Sequence, residues 1–232
     1  MTNEVCLEAR NLHAGYDSTV IVRDLNLSLR KGEIVALLGP NGAGRTTTLL
    51  TLCGELPPIS GEVLLNGQVC KDPLYKRARS GMALVTEQKA VLMKLTVAQN
   101  LRVSRGDVGY ALDLFPDLKN HLNRPVGLLS GGQQQMLSLA RALSRRPAIL
   151  LADEVSLGLA PRMVDHLLEV IRSAADDGLG VILVEQYVHK ALQLADRVLV
   201  MRRGRVELSG QAAELRQDPA AFRAAYFSDS LN

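Results

Sequence analysis

The sequence predicts an α/β fold in which a parallel core sheet carries an N-terminal antiparallel β subdomain and a small α-helical subdomain. Three short apolar runs, at 34–38, 148–152 and 181–184, have the length and aliphatic content of buried parallel strands. A helical pattern follows each run, which is typical of an α/β sheet. The 232 residues suffice for one packed domain, and its core is expected to be aliphatic because only 3% of the residues are aromatic.

Hairpin signals predict antiparallel strands on either side of this core. Leucine alternates with polar residues between positions 25 and 29, which suits a half-buried strand. Two hairpins are expected, each from two short strands around a turn dipeptide: 62–65 and 68–70 around Asn66-Gly67, and 197–201 and 205–208 around Arg203-Gly204.

The segment between about 88 and 129 has a helical and loop-like pattern. Three helices are expected here and just beyond: one starting at the capping-box residue Thr96, one at 108–115 before Pro116, and one from the N-cap Ser130 to about 145. We therefore expect 88–129 to form the helical subdomain, and 1–87 with 130–232 to form the core and its antiparallel sheet.

A glycine-rich segment joins the run at 34–38 to a helical stretch at 47–53. Its glycines let backbone N–H groups close around phosphate oxygens, and a helix N-terminus adds partial positive charge. Thr46 offers a hydroxyl to Mg²⁺, whereas Arg45 occupies the lysine position of the pattern GxxxxGK[ST]. The competing interpretation is a glycine-rich turn without a ligand. The candidate nucleotide-binding residues are Gly39, Pro40, Asn41, Gly42, Ala43, Gly44, Arg45, Thr46 and Thr47.

Two further motifs follow along the chain. Ser130, Gly131, Gly132 and Gln133 put two glycines behind an N-cap serine at a helix start, which makes a second anion-binding surface. The pair Asp153-Glu154 ends the apolar run at 148–152. In nucleotide hydrolases the first carboxylate of such a pair holds Mg²⁺ and the second polarises the attacking water. A strand-end acid alone is also compatible with a cap or a salt bridge.

Together, the glycine-rich loop, the LSGGQ segment at 129–133 and the acidic pair resemble the ATP-binding cassette (ABC) family of P-loop NTPases, whose core sheet is RecA-like. The resemblance extends over nearly the whole chain and implies that 1–232 forms one nucleotide-binding domain. It implies ATP and Mg²⁺ as ligands. It also implies a head-to-tail hetero- or homodimer, in which each ATP lies between one cassette's loop and the other's LSGGQ, and integral membrane permease subunits as further partners.

The same resemblance assigns roles to further side chains. Tyr16 matches the aromatic residue that stacks on adenine, Glu87 falls in the slot of the Q-loop glutamine, and Gln186 falls in the slot of the switch histidine. The implied catalytic set is Glu154, Glu87 and Gln186, and the implied metal set is Thr46, Glu87 and Asp153. Structural alternatives stay open: a surface aromatic for Tyr16, a solvated loop acid for Glu87, and for Gln186 a strand-end residue that touches no phosphate.

Glu87, Gln186 and the segment LSGGQQQML are similar to the second ATPase of branched-chain amino-acid importers, so hydrolysis of MgATP to drive import of a small solute is the implied function. Arg45 and Val155 depart from the family, which has lysine and proline there. A guanidinium keeps the charge of lysine but is planar and longer. The second hypothesis is therefore a hydrolysis-impaired nucleotide-binding partner, whose signature segment completes the ATP site of another cassette. His189 lies in an expected helix and is predicted to face solvent.

Composition excludes several other classes. The net charge of +3 is too small to argue for nucleic-acid binding, and the long inserts or second cassette of nucleic-acid-linked relatives are not found here. No apolar run approaches the about 20 residues of a membrane span, and the start of the chain lacks a signal-peptide pattern. We expect a cytoplasmic protein without direct membrane insertion, held on the inner face of the cell membrane by permeases. Cys6, Cys53 and Cys70 are expected to be buried in a reducing compartment.

Overall fold

The computed structural model describes residues 4–88 and 90–218, together with 224 and 226. Its strands form a six-stranded sheet and a four-stranded sheet. The strands are β1 (Val5–Tyr16), β2 (Thr19–Arg30), β3 (Ile34–Leu38), β4 (Ser60–Leu65), β5 (Gln68–Val69), β6 (Met82–Val85), β7 (Ile149–Asp153), β8 (Gly180–Val184), β9 (Arg197–Arg202) and β10 (Arg205–Gln211). The helices are α1 (Arg45–Cys53), α2 (Leu74–Arg79), α3 (Val97–Val103), α4 (Val108–Leu114), α5 (Gly131–Leu143), α6 (Pro161–Asp176), α7 (Val188–Leu194) and α8 (Ala212–Gln217).

The six-stranded sheet has the order β10-β9-β3-β8-β7-β6. All its pairs are parallel except β9 with β10, so five strands point the same way. Every residue of β3 is buried, and alternate side chains of that strand contribute to two different apolar clusters. One cluster packs α5, α6 and α7 against one face of the sheet, and the other packs α1, β1 and β2 against the opposite face. A strand covered on both faces needs a continuous apolar sequence, which explains the runs.

The four-stranded sheet is antiparallel, with the order β2-β1-β4-β5. The predicted alternation in β2 is confirmed, because Leu25, Leu27 and Leu29 are all buried. Both predicted hairpins are confirmed too. The turn residues Asn66 and Gly67 have φ values of 50° and 76°, the left-handed pair that a type I′ turn requires.

The segment between β6 and α5 contains α3, α4 and two 3₁₀ turns, Pro116–His121 and Val126–Leu128. The capping box at Thr96 is confirmed, since Thr96 and Gln99 exchange both side-chain to backbone hydrogen bonds. No helix in the described part of the chain is both long enough and apolar enough to cross a bilayer.

Several expected boundaries shift by one to two residues. The run at 148–152 becomes the strand β7, which starts at Ile149 and includes Asp153, and the helix expected to begin at 47 begins at Arg45. The expectation of three buried cysteines is wrong at one position. Cys70 is half-buried because it directly follows the exposed edge strand β5, whereas Cys6 and Cys53 are buried.

Candidate functional site

The glycine-rich loop lies where the carboxyl end of β3 meets the start of α1, an edge at which α/β sheets bind ligands. Gly39 has φ 153°, and a Cβ at this position would lie 2.2 Å from the carbonyl oxygen of Met201. Gly44, the N-cap of α1, has φ 99°, a left-handed conformation that side chains disfavour. The backbone path of this loop therefore depends on glycine at both positions.

The hairpin that carries Tyr16 lies against this loop. Val22 of β2 approaches the position of a Gly44 Cβ to 3.0 Å, and Tyr16 pairs with Thr19 at the end of the same hairpin. The turn between β9 and β10 adds a further support, since the N–H of Gly204 donates to the carbonyl of Ala43 at 3.1 Å. Tyr16 is 44% exposed, so its ring is available to a planar ligand bound at the loop.

Arg45 runs from the loop to the ends of two neighbouring core strands. Its guanidinium donates to Asn41 Oδ1 at 3.2 Å, to Glu154 Oε1 at 3.3 Å and to the carbonyl of Glu185 at 3.3 Å. The Arg45 side chain is 6% exposed and that of Glu154 is 15% exposed, so the ion pair is largely shielded from solvent. An arginine was expected to change the geometry of the lysine position. The change is a direct hydrogen bond from Arg45 to Glu154, the second carboxylate of the acidic pair.

Glu154 is held in a defined orientation. Its φ of 50° is in the left-handed region, which costs a non-glycine residue on the order of 1 kcal/mol. The backbone N–H of Glu154 donates to the carbonyl of Val184 at 2.9 Å, and Gln186 Nε2 donates to Glu154 Oε2 at 2.8 Å. Both carboxylate oxygens therefore have partners, Arg45 on one side and Gln186 on the other.

Asp153 has the character of a metal-binding carboxylate. The residue is 6% exposed, and its Oδ1 atom is buried without a hydrogen-bond partner. Burial raises the pKa of Asp153, and the nearby Thr46 hydroxyl and the Arg45 charge oppose that rise, while Glu154 and Glu87 add to it. A Mg²⁺ ion fits this donor set, because it is typically bound by one or two carboxylates together with substrate phosphates. Among the described residues there is no group of three or more His, Cys, Asp or Glu side chains that could hold a metal on its own.

Behind this edge lies a buried carboxyl group, Glu185, which is 2% exposed. Ser156 donates to it twice, from its backbone N–H to Oε1 at 3.2 Å and from its hydroxyl to Oε2. Burial raises the pKa of Glu185 to about 7, and the two bonds from Ser156 oppose that rise. Glu185 thereby joins the chain segment after the acidic pair to the strand end that carries Gln186.

The signature segment begins α5. Ser130 is the N-cap, its backbone N–H donates to Gln133 Oε1 at 3.0 Å, and the Gln133 backbone N–H donates to Ser130 Oγ at 3.3 Å. Gln133 Nε2 also contacts His121 Nε2 at 2.9 Å. Gly132 is buried against Met163, which lies 2.2 Å from the position that a Gly132 Cβ would occupy. The N-cap expected at Ser130 is confirmed, although α5 ends at Leu143 rather than near 145.

One edge of the core sheet thus brings together most of the candidate residues: the loop 39–47 after β3, Asp153-Glu154 at the end of β7, and Gln186 after β8. Glu87, two residues beyond β6, is exposed and close enough to act on the pKa of Asp153. His189 is exposed in α7, as predicted.

The sequence pattern did not predict a role for Glu185 or His121, and it placed Gly204 in a hairpin turn without its contact with Ala43. An acidic residue directly after the wholly apolar strand β8 was a usable signal for Glu185. His121 and Gly204 had none, since their contacts depend on the fold.

Known proteins are similar to this chain over most of its length. The family model described as ABC transporter matches residues 22–156. The high-affinity branched-chain amino acid transport ATP-binding protein BraG of Pseudomonas aeruginosa is 38% identical, over 88% of this chain and 92% of BraG. The probable branched-chain amino acid transport ATP-binding protein LivF of Archaeoglobus fulgidus is 35% identical, over 90% and 93%. The lipopolysaccharide export system ATP-binding protein LptB of Escherichia coli K12 is 32% identical, over 91% and 93%.

Solved structures give the same match. An ATP-binding subunit of an ABC transporter superposes with a TM-score of 0.82 at 26% identity, over 97% of both chains. A dimeric ATP-binding cassette in a post-hydrolysis state, bound to ADP and phosphate, superposes with a TM-score of 0.78 at 25% identity, over 89% of this chain and 98% of that one.

Proposed function

Since this chain belongs to the ABC transporter family of ATP-binding cassettes, we propose that it hydrolyses MgATP in the site built on residues 39–47 to drive import of a branched-chain amino acid. The hydrogen bond of 2.8 Å from Gln186 to Glu154 is the observation that supports hydrolysis at this site. It orients the Glu154 carboxylate, which also contacts Arg45 of the phosphate loop. The names of BraG and LivF support the choice of solute.

Each group at the edge has a role in this proposal. The loop amides and α1 bind the phosphates, and the Tyr16 ring stacks on the adenine. Thr46 and Asp153, with Glu87 nearby, hold Mg²⁺, which when bound neutralises charge on the phosphates. Glu154 polarises the water, and Gln186 orients Glu154.

A second cassette completes the active unit. Ser130, Gly131, Gly132 and Gln133 are proposed to contact the ATP held by the partner's loop, so that two sites form between two chains. The partner is another copy of this chain or a different cassette. The polar, glycine-rich character of both surfaces supports an interface bridged by nucleotide phosphates.

The segment 88–129 is proposed as the helical subdomain and the permease-docking surface, with 1–87 and 130–232 as the core. The adjacent exposed side chains of Leu92 and Met93 support this assignment, because contiguous exposed apolar groups mark interaction sites. Leu92 is 44% exposed, Met93 47% and Val103 51%. In this arrangement the chain lies in the cytoplasm, on the inner face of the cell membrane.

The test of the solute is uptake of labelled leucine by proteoliposomes that contain this chain, its partner cassette and the permeases, supplied with a solute-binding protein that binds leucine. Uptake that requires ATP, and that stops with Glu154→Gln, is the expected result. If such vesicles instead extract lipopolysaccharide and take up no amino acid, the proposed solute is wrong, and the likeness to LptB becomes the better guide.

The ion pair between Arg45 and Glu154 favours one alternative, a cassette whose own site binds ATP but hydrolyses it slowly. Steady-state hydrolysis by the assembled dimer, with Glu154 and the partner's catalytic glutamate replaced in turn, separates the two functions. An ATPase subunit loses a large share of activity with Glu154→Gln. A hydrolysis-impaired partner loses almost none.

A further inference from the structure

His121 contacts the signature segment, although it belongs to none of the nucleotide-binding motifs. It ends the 3₁₀ turn Pro116–His121, which packs between α4 and α5. Its Nε2 atom lies 2.9 Å from Nε2 of Gln133, and both side chains are half-buried. Neither the nucleotide loop nor the acidic pair involves this histidine.

The hydrogen bonds around Gln133 fix which atom donates. The backbone N–H of Ser130 can only donate, and it points at the Gln133 side chain at 3.0 Å, so that atom must be the carboxamide oxygen. The other end of the carboxamide is then the NH₂ group, which faces His121. A hydrogen bond at this contact therefore requires His121 Nε2 to be the acceptor, with the ring proton on Nδ1.

We propose that His121 is a positioning residue for the signature segment, and that its unprotonated Nε2 locks the Gln133 carboxamide in the orientation that closes the capping box on Ser130. Protonation places an N–H on Nε2, opposite the NH₂ of Gln133. Turning the carboxamide over repairs that contact but sets its NH₂ against the N–H of Ser130. Either arrangement leaves two donors facing each other, so the His121 contact and the capping box are satisfied together only when Nε2 carries no proton.

Few charges surround this contact. The 3₁₀ turn itself carries Asp117 and Lys119, and Lys119 pairs at 3.2 Å with Asp113 of α4. Further groups on the neighbouring elements are Tyr110 of α4, Arg141 of α5 and Arg124 in the following loop. On α6, His166 packs on Phe115, and the other charged side chains are Arg162, Asp165, Glu169, Arg172 and Asp176. Within 4–88 and 90–218, no carboxylate forms an ion pair with His121.

The His121 contact acts on the ATP site that the signature segment forms with the partner cassette. Because Ser130 and Gln133 are proposed to contact the ATP of the second cassette, His121 influences nucleotide-driven dimerisation without touching this chain's own phosphate loop. This step rests on the proposed function, whereas the contact itself does not.

The contact is tested first in the nucleotide-free chain, by the ¹⁵N chemical shifts of the His121 ring at about pH 8. The expected result is a protonated Nδ1 and a free Nε2, and Gln133→Leu should abolish this preference. A ring with its proton on Nε2 would overturn the proposal whether or not the chain dimerises.

The consequence is tested by ATP-dependent dimerisation in the Glu154→Gln background, measured by sedimentation at about pH 8. His121→Leu removes the acceptor and keeps the bulk, whereas His121→Gln supplies another acceptor. The matched control is His189→Gln, which replaces an exposed histidine far along the chain on α7. ATP affinity of each monomer reports on folding and on the chain's own loop.

We expect His121→Leu to dimerise about five to ten times more weakly than the parent, as for loss of one helix cap. His121→Gln should dimerise like the parent, and the ATP affinity of the monomer should not change in either variant. Equal dimerisation of His121→Leu and the parent overturns the proposal. If the parent does not dimerise with ATP at all, the sandwich in the proposed function fails, and the ring shifts alone decide the role of His121.

Discussion

Replacing Arg45 by lysine is the most informative change at this site. The guanidinium donates hydrogen bonds of 3.2 to 3.3 Å to Asn41, to Glu154 and to the Glu185 carbonyl. A lysine ammonium is a compact charge on a flexible chain and cannot reproduce the planar fork that makes these contacts. Arg45→Lys therefore frees Glu154 from its cation while leaving a positive charge in the loop.

The size of the effect follows from the shielding of that ion pair. The two side chains are 6% and 15% exposed, and a hydrogen bond to a charged group is worth about 1.5 to 3 kcal/mol. If Arg45 must release Glu154 before the carboxylate can polarise water, that energy adds to the barrier. It corresponds to a rate difference of roughly 10- to 100-fold, at about tenfold per 1.4 kcal/mol. ATP affinity should change little, because loop amides and Mg²⁺ supply much of it.

The assay is single-turnover hydrolysis in a dimer whose other site is disabled. We expect Arg45→Lys to hydrolyse ATP at least about tenfold faster than the native chain. The control is Arg10→Lys, since Arg10 pairs with Glu8 on the surface, away from the site. Equal rates for the native chain and Arg45→Lys would refute the reasoning. The alternative of a hydrolysis-impaired partner would then lose its main support.

Three further predictions follow from the same geometry. Thr46→Ala removes a hydroxyl beside Asp153, so calorimetry should show weaker ATP binding with Mg²⁺ and little change without it; equal affinities in both conditions contradict this role. Glu185→Gln removes the charge and keeps an acceptor for the Ser156 backbone N–H, while its NH₂ group can donate to the Ser156 hydroxyl. Because burial raises the pKa of Glu185 from 4.5 to about 7, the native free energy of unfolding should fall as the pH rises through that window, while the variant's should not. Between about pH 5 and pH 8 the native chain should lose roughly 2 kcal/mol of unfolding free energy relative to the variant, as measured by urea denaturation. Parallel pH profiles of the two chains would exclude a buried ionisation. Without nucleotide the chain should be monomeric by light scattering, since the proposed interface is polar; a tight nucleotide-free dimer through the signature segments would contradict that interface.

The parts of the molecule that the sequence predicted well depend on local signals. The core strands are continuous apolar runs, Thr96 and Ser130 have their capping partners three residues on, and Asn66-Gly67 specifies its own turn. Each of these needs only a few neighbouring residues to be decided.

The contacts that decide the chemistry are not local. Arg45 meets Glu154 across 109 residues and Glu185 across 140, so the amino-acid pattern predicted an altered loop but not the partner of the guanidinium. The strand β1 itself was also not predicted. Its pairing with β2 has several register shifts, which disrupt the period-two alternation by which a strand is recognised.

The central claim is that this chain hydrolyses the ATP that its own loop binds, with Glu154 polarising the water. The direct measurement is phosphate release in a single turnover by the native chain and by Glu154→Gln, in a dimer whose partner site is disabled, with ATP binding measured alongside. The account predicts that both forms bind ATP with similar affinity, and that the variant releases phosphate at least about 100-fold more slowly, a loss of about 3 kcal/mol of transition-state stabilisation. Equal rates for the two forms would contradict it, because Glu154 would then have no part in the chemistry.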